Sequence, residues 1–158
     1  TNTELALNSL NKAFERTRPV QSRITNFDYA PFSQLRGEND DKIDVSARNR
    51  AERILLDEEA ENPSPEVFHS LGRLHLSKKE FDEAAKQLEK AQRLAPQSPE
   101  ILSDTGTAYL EKSKTLPESE KKIELQSQAL ESFDKALEQN PRFLPALFNR
   151  AYCLQLLN

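Results

Sequence analysis

Two histidines, one cysteine and a run of carboxylates are the side chains in this sequence that could bind a metal or attack a bond. His69 and His75 stand six residues apart, which on a helix puts them on different faces, so they do not chelate one ion as an i, i+4 pair does. Both read as packing or solvated rings. Cys153 has neither a base nor an oxyanion donor near it in sequence, and its expected role is that of a small buried residue rather than a thiol nucleophile. The run Asp57-Glu58-Glu59-Ala60-Glu61 lacks the alternating ligands and the turn glycine of a calcium loop and reads as a solvated helix end. The residues therefore give no catalytic constellation, no metal site and no cofactor fingerprint, and non-catalytic chemistry, the holding of another molecule, is the expectation.

Composition narrows what that molecule is. A formal charge of −4 gives a mildly acidic surface, which offers no general grip on nucleic acid or on anionic lipid headgroups. No apolar stretch reaches the roughly 18 residues a membrane helix needs, so no membrane insertion by this segment is expected. With charged residues at 30%, apolar residues at 36% and only three glycines among 158 residues, the chain suits solvated helices around a modest core better than a barrel or sandwich. The single cysteine rules out an internal disulfide. Thr1-Asn2-Thr3-Glu4 has no signal-peptide character, which favours the cytoplasm. The absence of methionine points to an internal piece of a longer protein, whose missing start leaves room for a targeting segment and a cell-envelope location.

The elements that must position any binding surface repeat along the chain. Phe68-His69-Ser70-Leu71-Gly72-Arg73-Leu74-His75 is followed by Ala84, Leu88, Ala91 and Pro96. One period of 34 residues later, Leu102, Gly106 and Tyr109 repeat the first half, and Ala129, Phe133, Ala136 and Pro141 repeat the second. A third unit starts at Leu144, with Leu147, Arg150, Ala151 and Leu154 at the matching positions. The small residues permit close approach of two antiparallel helices, and the prolines stand where a helix cannot continue or has just begun. In the first unit Leu71, Leu74, Phe81, Leu88, Ala91 and Leu94 form the expected apolar layer, with Lys78, Lys79, Glu83, Lys86 and Glu89 toward water. Gly72 to Gly106 is 34 residues but Ala84 to Ala129 is 45, so 11 extra residues lie inside the second unit. Eleven residues turn a helix about three times, which keeps the apolar face in register and predicts a lengthened hairpin projecting beyond its neighbours. Its second helix is expected over about 117–139, with Thr115 as cap and Pro117 in the first turn.

These residues resemble the tetratricopeptide repeat (TPR), whose pattern is W-x2-L-G-x2-Y, A-x3-F, P. The resemblance implies an all-α fold, a TPR α-solenoid of antiparallel helix hairpins in a right-handed superhelix. The array would span 64–158, as repeat one (65–98), repeat two (99–143) and a truncated repeat three (144–158). Residues 1–63 would form an irregular, partly helical N-terminal cap: a helix over 3–18, an extended strap over 20–37, and a helix from about 41 to 60 carrying Ile43, Ala47, Ala51, Ile54 and Leu55. Arg18-Pro19, Arg23 and Tyr29-Ala30-Pro31, together with Leu147-Phe148-Asn149-Arg150-Ala151, further resemble bacterial proteins in which such an array precedes a caspase-like (CHAT) peptidase domain. That resemblance implies a larger parent, in which the array would be a regulatory or substrate-recruiting arm.

The TPR resemblance also implies where a partner would sit. First helices line a concave groove, whose side chains here would include His69, Arg73, Leu76, Ser103, Thr107, Leu110, Phe148, Asn149 and Tyr152. Leu110, Phe148 and Tyr152 beside Arg73 and Asn149 suit a protein or peptide with an apolar anchor. Chaperone-binding members clamp a C-terminal carboxylate with basic residues and asparagines. The matching positions hold His69, Arg73 and Asp104, with Pro145 in place of a lysine and only Asn149 in pattern, so that clamp is not expected. The half repeat leaves Leu147, Ala151, Leu154 and Leu157 without a covering helix, and self-association through it is expected.

Overall fold

The computed structural model describes residues 45–157, and the expected helix over 3–18, the strap and the Arg18 to Pro31 motif lie outside them. Among the described residues there are six α-helices: α1 (Val45–Glu61), α2 (Pro65–Ser77), α3 (Phe81–Leu94), α4 (Pro99–Lys114), α5 (Glu120–Gln139) and α6 (Leu144–Leu157). Helices α2 and α4 begin alike. Pro65 and Pro99 occupy the first turn, where their missing N–H is no loss, and Ser64 Oγ and Ser98 Oγ accept the backbone N–H of Val67 and Ile101, each at 3.3 Å. Each first helix then packs antiparallel against the helix that follows it, α2 on α3 and α4 on α5.

Glycine at the crossing is a steric requirement. A Cβ on Gly72 would collide with the Leu88 side chain, and one on Gly106 would lie 2.7 Å from Phe133 Cε1 and 3.0 Å from the Ala129 carbonyl oxygen. Around these contacts Leu71, Leu88, Ala84, Ala91, Ala129, Phe133 and Ala136 are fully buried, each large side chain contributing about 1.5–3 kcal/mol of burial. Phe68, Ala91 and Ile101 join the first hairpin to the second. Helix α1 closes the other side of the first hairpin with Ala51 and Leu55 against Val67, Leu71 and Leu74.

The 11 extra residues are shared out. Helix α4 has 16 residues against 13 in α2, α5 has 20 against 14 in α3, and the connection accounts for the remaining two. The register survives, since Gly106 still meets Ala129 and Phe133. The start of α5 differs from the expected one: it begins at Glu120, capped by Ser119, whose Oγ accepts the Lys122 N–H at 3.3 Å. Thr115 instead ends α4, donating to the Lys112 carbonyl at 2.8 Å, and Pro117 lies in the connection. Pro117 would have served in a first turn, but Ser119 stands in extended backbone with a side chain that can reach the third N–H beyond it, which fixes the boundary.

Other expectations are corrected by packing between elements. Leu94 is 56% exposed, because it is the last residue of α3 and the chain turns away after it. Lys78 is half-buried between Glu52 and Glu80, and Glu89 accepts the Tyr109 hydroxyl at 2.7 Å, so neither is simply solvated. Glu59, in the acidic run, pairs with Lys90 Nζ at 2.6 Å and ties α1 to α3. Leu157 packs half-buried against the Leu110, Phe133 and Cys153 cluster, whereas Leu147 is 41% exposed.

Candidate partner-binding groove

The first helices lie side by side, with α4 touching α2 on one side and α6 on the other. Nearest α1, His69 and Arg73 are one turn apart on α2 and both reach Asp104 of α4. His69 Nε2 is 2.8 Å from Asp104 Oδ2, and Arg73 Nε is 3.8 Å from the same oxygen. All three side chains stay partly exposed, between 17% and 25%. Asp104 therefore occupies, from within the protein, the place an acidic ligand would take on Arg73, and the cluster presents both a carboxylate and a guanidinium to solvent.

Toward α6 the surface is aromatic. Phe148 and Tyr152 are half-buried one turn apart, and Lys114 Nζ lies over the Tyr152 ring at 5.0 Å from its centroid while pairing with Glu111 at 2.7 Å. Sequence reasoning missed Lys114. The signal was the lengthening of α4, whose last turn carries a lysine three residues past Glu111 and so on the same face.

Between these two patches the expected groove residues turn inward. Ser103, Thr107, Leu110 and Asn149 are at most 1% exposed and offer no surface to a partner. Leu110 packs with Leu102, Phe133 and Cys153, and Asn149 donates its side-chain amide to Thr107 Oγ1 at 3.1 Å. Thr107 in turn donates to the Ser103 carbonyl at 3.0 Å. The reason is that consecutive first helices pack on one another, so positions at the seam are covered by the next repeat. Leu76 is half-buried against the Ala84, Leu88 and Ala108 cluster. The reachable members of the expected set are His69, Arg73, Phe148 and Tyr152, with part of Leu76.

Cys153 is sealed. Its Sγ donates to the Gln126 carbonyl at 3.1 Å, and burial pushes the thiol up to about 11, so it stays protonated at neutral pH and packs as a small apolar side chain.

Helix hairpins stacked in sequence, with glycine at each crossing, define an α-solenoid. Residues 65–98 match the tetratricopeptide repeat family. The chain is similar in structure to a thermophilic TPR protein of Thermus thermophilus, with a TM-score of 0.64 at 22% sequence identity. That likeness covers 72% of this chain and 59% of the other, so the chain spans little more than half of that protein's length, and it shows the fold. No curated protein matches the sequence. One tetratricopeptide repeat is thus matched, over residues 65–98, within a helical-hairpin fold like that of a TPR protein. Among the described residues no helix is long and apolar enough to cross a membrane.

Proposed function

We propose that the chain is a non-catalytic scaffold that binds a peptide or protein along the face made by α2, α4 and α6. The observation that carries this reading is the pairing of two partly exposed patches on successive first helices: His69 and Arg73 around Asp104, and Phe148 and Tyr152 beside Lys114. Arginine and aromatic side chains are the residue types that dominate binding energy at interfaces, and a buried, hydrogen-bonded seam beneath them gives a rigid platform. A partner with an apolar side chain for the Phe148 and Tyr152 end, and hydrogen-bonding or charged groups of both signs for the Asp104 end, fits the surface. Photo-crosslinking tests it: benzoylphenylalanine at Arg73 or Tyr152 is expected to capture a native partner that the same probe at Lys86, an exposed residue of α3, does not. Equal capture from Lys86 would place the binding surface elsewhere.

A second surface is proposed for self-association. Leu144, Leu147 and Leu156 of α6 are 57%, 41% and 39% exposed, and Leu147 aligns with Phe68 and Leu102, which are covered in the two preceding repeats. Sedimentation is expected to show concentration-dependent association that Leu147→Glu abolishes; a monomer at high concentration would refute it.

A further inference from the structure

At the turn end of the first hairpin, three elements bring metal-ligating side chains together. Glu52 comes from α1, His75 from the last turn of α2, and Glu80 from the start of α3. One ligand atom from each lies within 4.8 Å of the others. The turn that makes this possible is tight: Glu80 N–H donates to the His75 carbonyl at 2.9 Å, and Lys79 takes the left-handed conformation with φ 61. The carboxylate of Glu80 is thereby folded back to 2.7 Å from His75 Nδ1. His75 is 9% exposed and fixed by packing, so its ring does not have to be ordered on binding.

A cation already sits here. Lys78 Nζ lies 2.9 Å from Glu52 Oε1 and 3.1 Å from Glu80 Oε1, a tethered ammonium bridging the two carboxylates. Its charge balances one of the two carboxylates. The Lys78 side chain is 25% exposed and has a flexible four-carbon stem, so its ammonium can move to water without disturbing the backbone.

We propose that Glu52, His75 and Glu80 form a divalent-cation site, best suited to zinc, that clips α1 to the first hairpin when Lys78 swings out to solvent. One imidazole nitrogen and two carboxylate oxygens are a zinc donor set, with water as the fourth ligand. Ligand atoms around tetrahedral zinc stand about 3.4 Å apart, so through side-chain rotation His75 Nδ1 and Glu80 Oε2, now 2.7 Å apart, open slightly and the wider separations, up to 4.8 Å, close. To ligate, His75 exchanges the Nδ1–H that now faces the Glu80 carboxylate for a proton on Nε2, and the ion takes over the two carboxylate contacts that Lys78 makes now. The spacing of His69 and His75 hid this site, because its other ligands come from Glu52, 23 residues before His75, and from Glu80 across the turn.

The test is titration of the tag-free chain with zinc chloride, followed by calorimetry and thermal unfolding, with cobalt(II) as a spectroscopic substitute. One zinc per chain is expected, with a rise in the unfolding midpoint that a chelator reverses and visible cobalt bands of tetrahedral intensity. His75→Phe, which keeps a ring in the packing position, and Glu52→Gln are each expected to abolish uptake. Lys78→Met, which removes the competing ammonium, is expected to tighten it by about tenfold or more. No zinc uptake by the wild-type chain overturns the proposal, as does uptake that persists in His75→Phe or Glu52→Gln. If His75→Phe fails to fold, Glu52→Gln decides alone, since Glu52 is a partly exposed residue of α1.

Discussion

Asn149 of α6 donates its side-chain amide to Thr107 Oγ1 of α4 at 3.1 Å, and both residues are 1% exposed. The bond joins two consecutive first helices at positions where a TPR groove is expected to show its side chains to a partner. In this chain those positions are structural. Asn149→Ala is therefore expected to destabilise the fold by about 1–3 kcal/mol, because it leaves the Thr107 hydroxyl and its surroundings without that donor in a dry seam. Denaturant unfolding measures the loss. Partner binding at permissive temperature should stay within a few-fold of wild type.

The two crossing glycines face different neighbours. A Cβ at Gly72 would collide with Leu88 Cγ, the branch atom of a fully buried leucine, whereas one at Gly106 would lie 2.7 Å from the edge of the Phe133 ring and 3.0 Å from the Ala129 carbonyl oxygen. Overpacking costs about 1–3 kcal/mol, offset by the better helix propensity of alanine, close to about 1 kcal/mol. Gly72→Ala and Gly106→Ala are each expected to lose roughly 1–2 kcal/mol. Thermal unfolding of the two variants in parallel checks this, and an unchanged midpoint in either would contradict it.

Much of the fold was legible because its marks are local. Gly72, Gly106, Ala84 and Ala129 are small where helices cross, and Pro65 and Pro99 open helices beside serine caps. What could not be read depends on contacts between distant segments. Ser103 and Leu110 have the spacing of groove residues, yet neighbouring elements cover them. Lys78 and Glu59 carry charges that suit water, and only the docking of α1 pairs them with Glu52 and Lys90. His75 takes the position of an aromatic ring in the repeat, and the turn through Lys79 alone sets it against Glu80.

Burial holds the Cys153 thiol up to about 11 against an ordinary value of 9.0, so the folded chain keeps a proton that the unfolded chain gives up. Stability contributed by this group is present below about pH 9 and is lost as pH rises from there toward 11, by up to about 2 kcal/mol. The Tyr109 hydroxyl, raised by burial and by its bond to Glu89, shifts in the same direction. Cys153→Ala is expected to lessen the decline between about pH 9 and 11 in urea unfolding series. At about pH 8 a thiol reagent should label the native chain only at the rate of local opening of α6 from α5.

That partners are held on the face of α2, α4 and α6 is tested most directly by comparing capture of native partners by the wild-type chain with capture by Arg73→Glu combined with Tyr152→Ala, once circular dichroism shows both folded. Retention of a partner by wild type and a loss of about tenfold or more in the variant is the predicted result. Equal retention by both chains would contradict it and move the binding surface off this face.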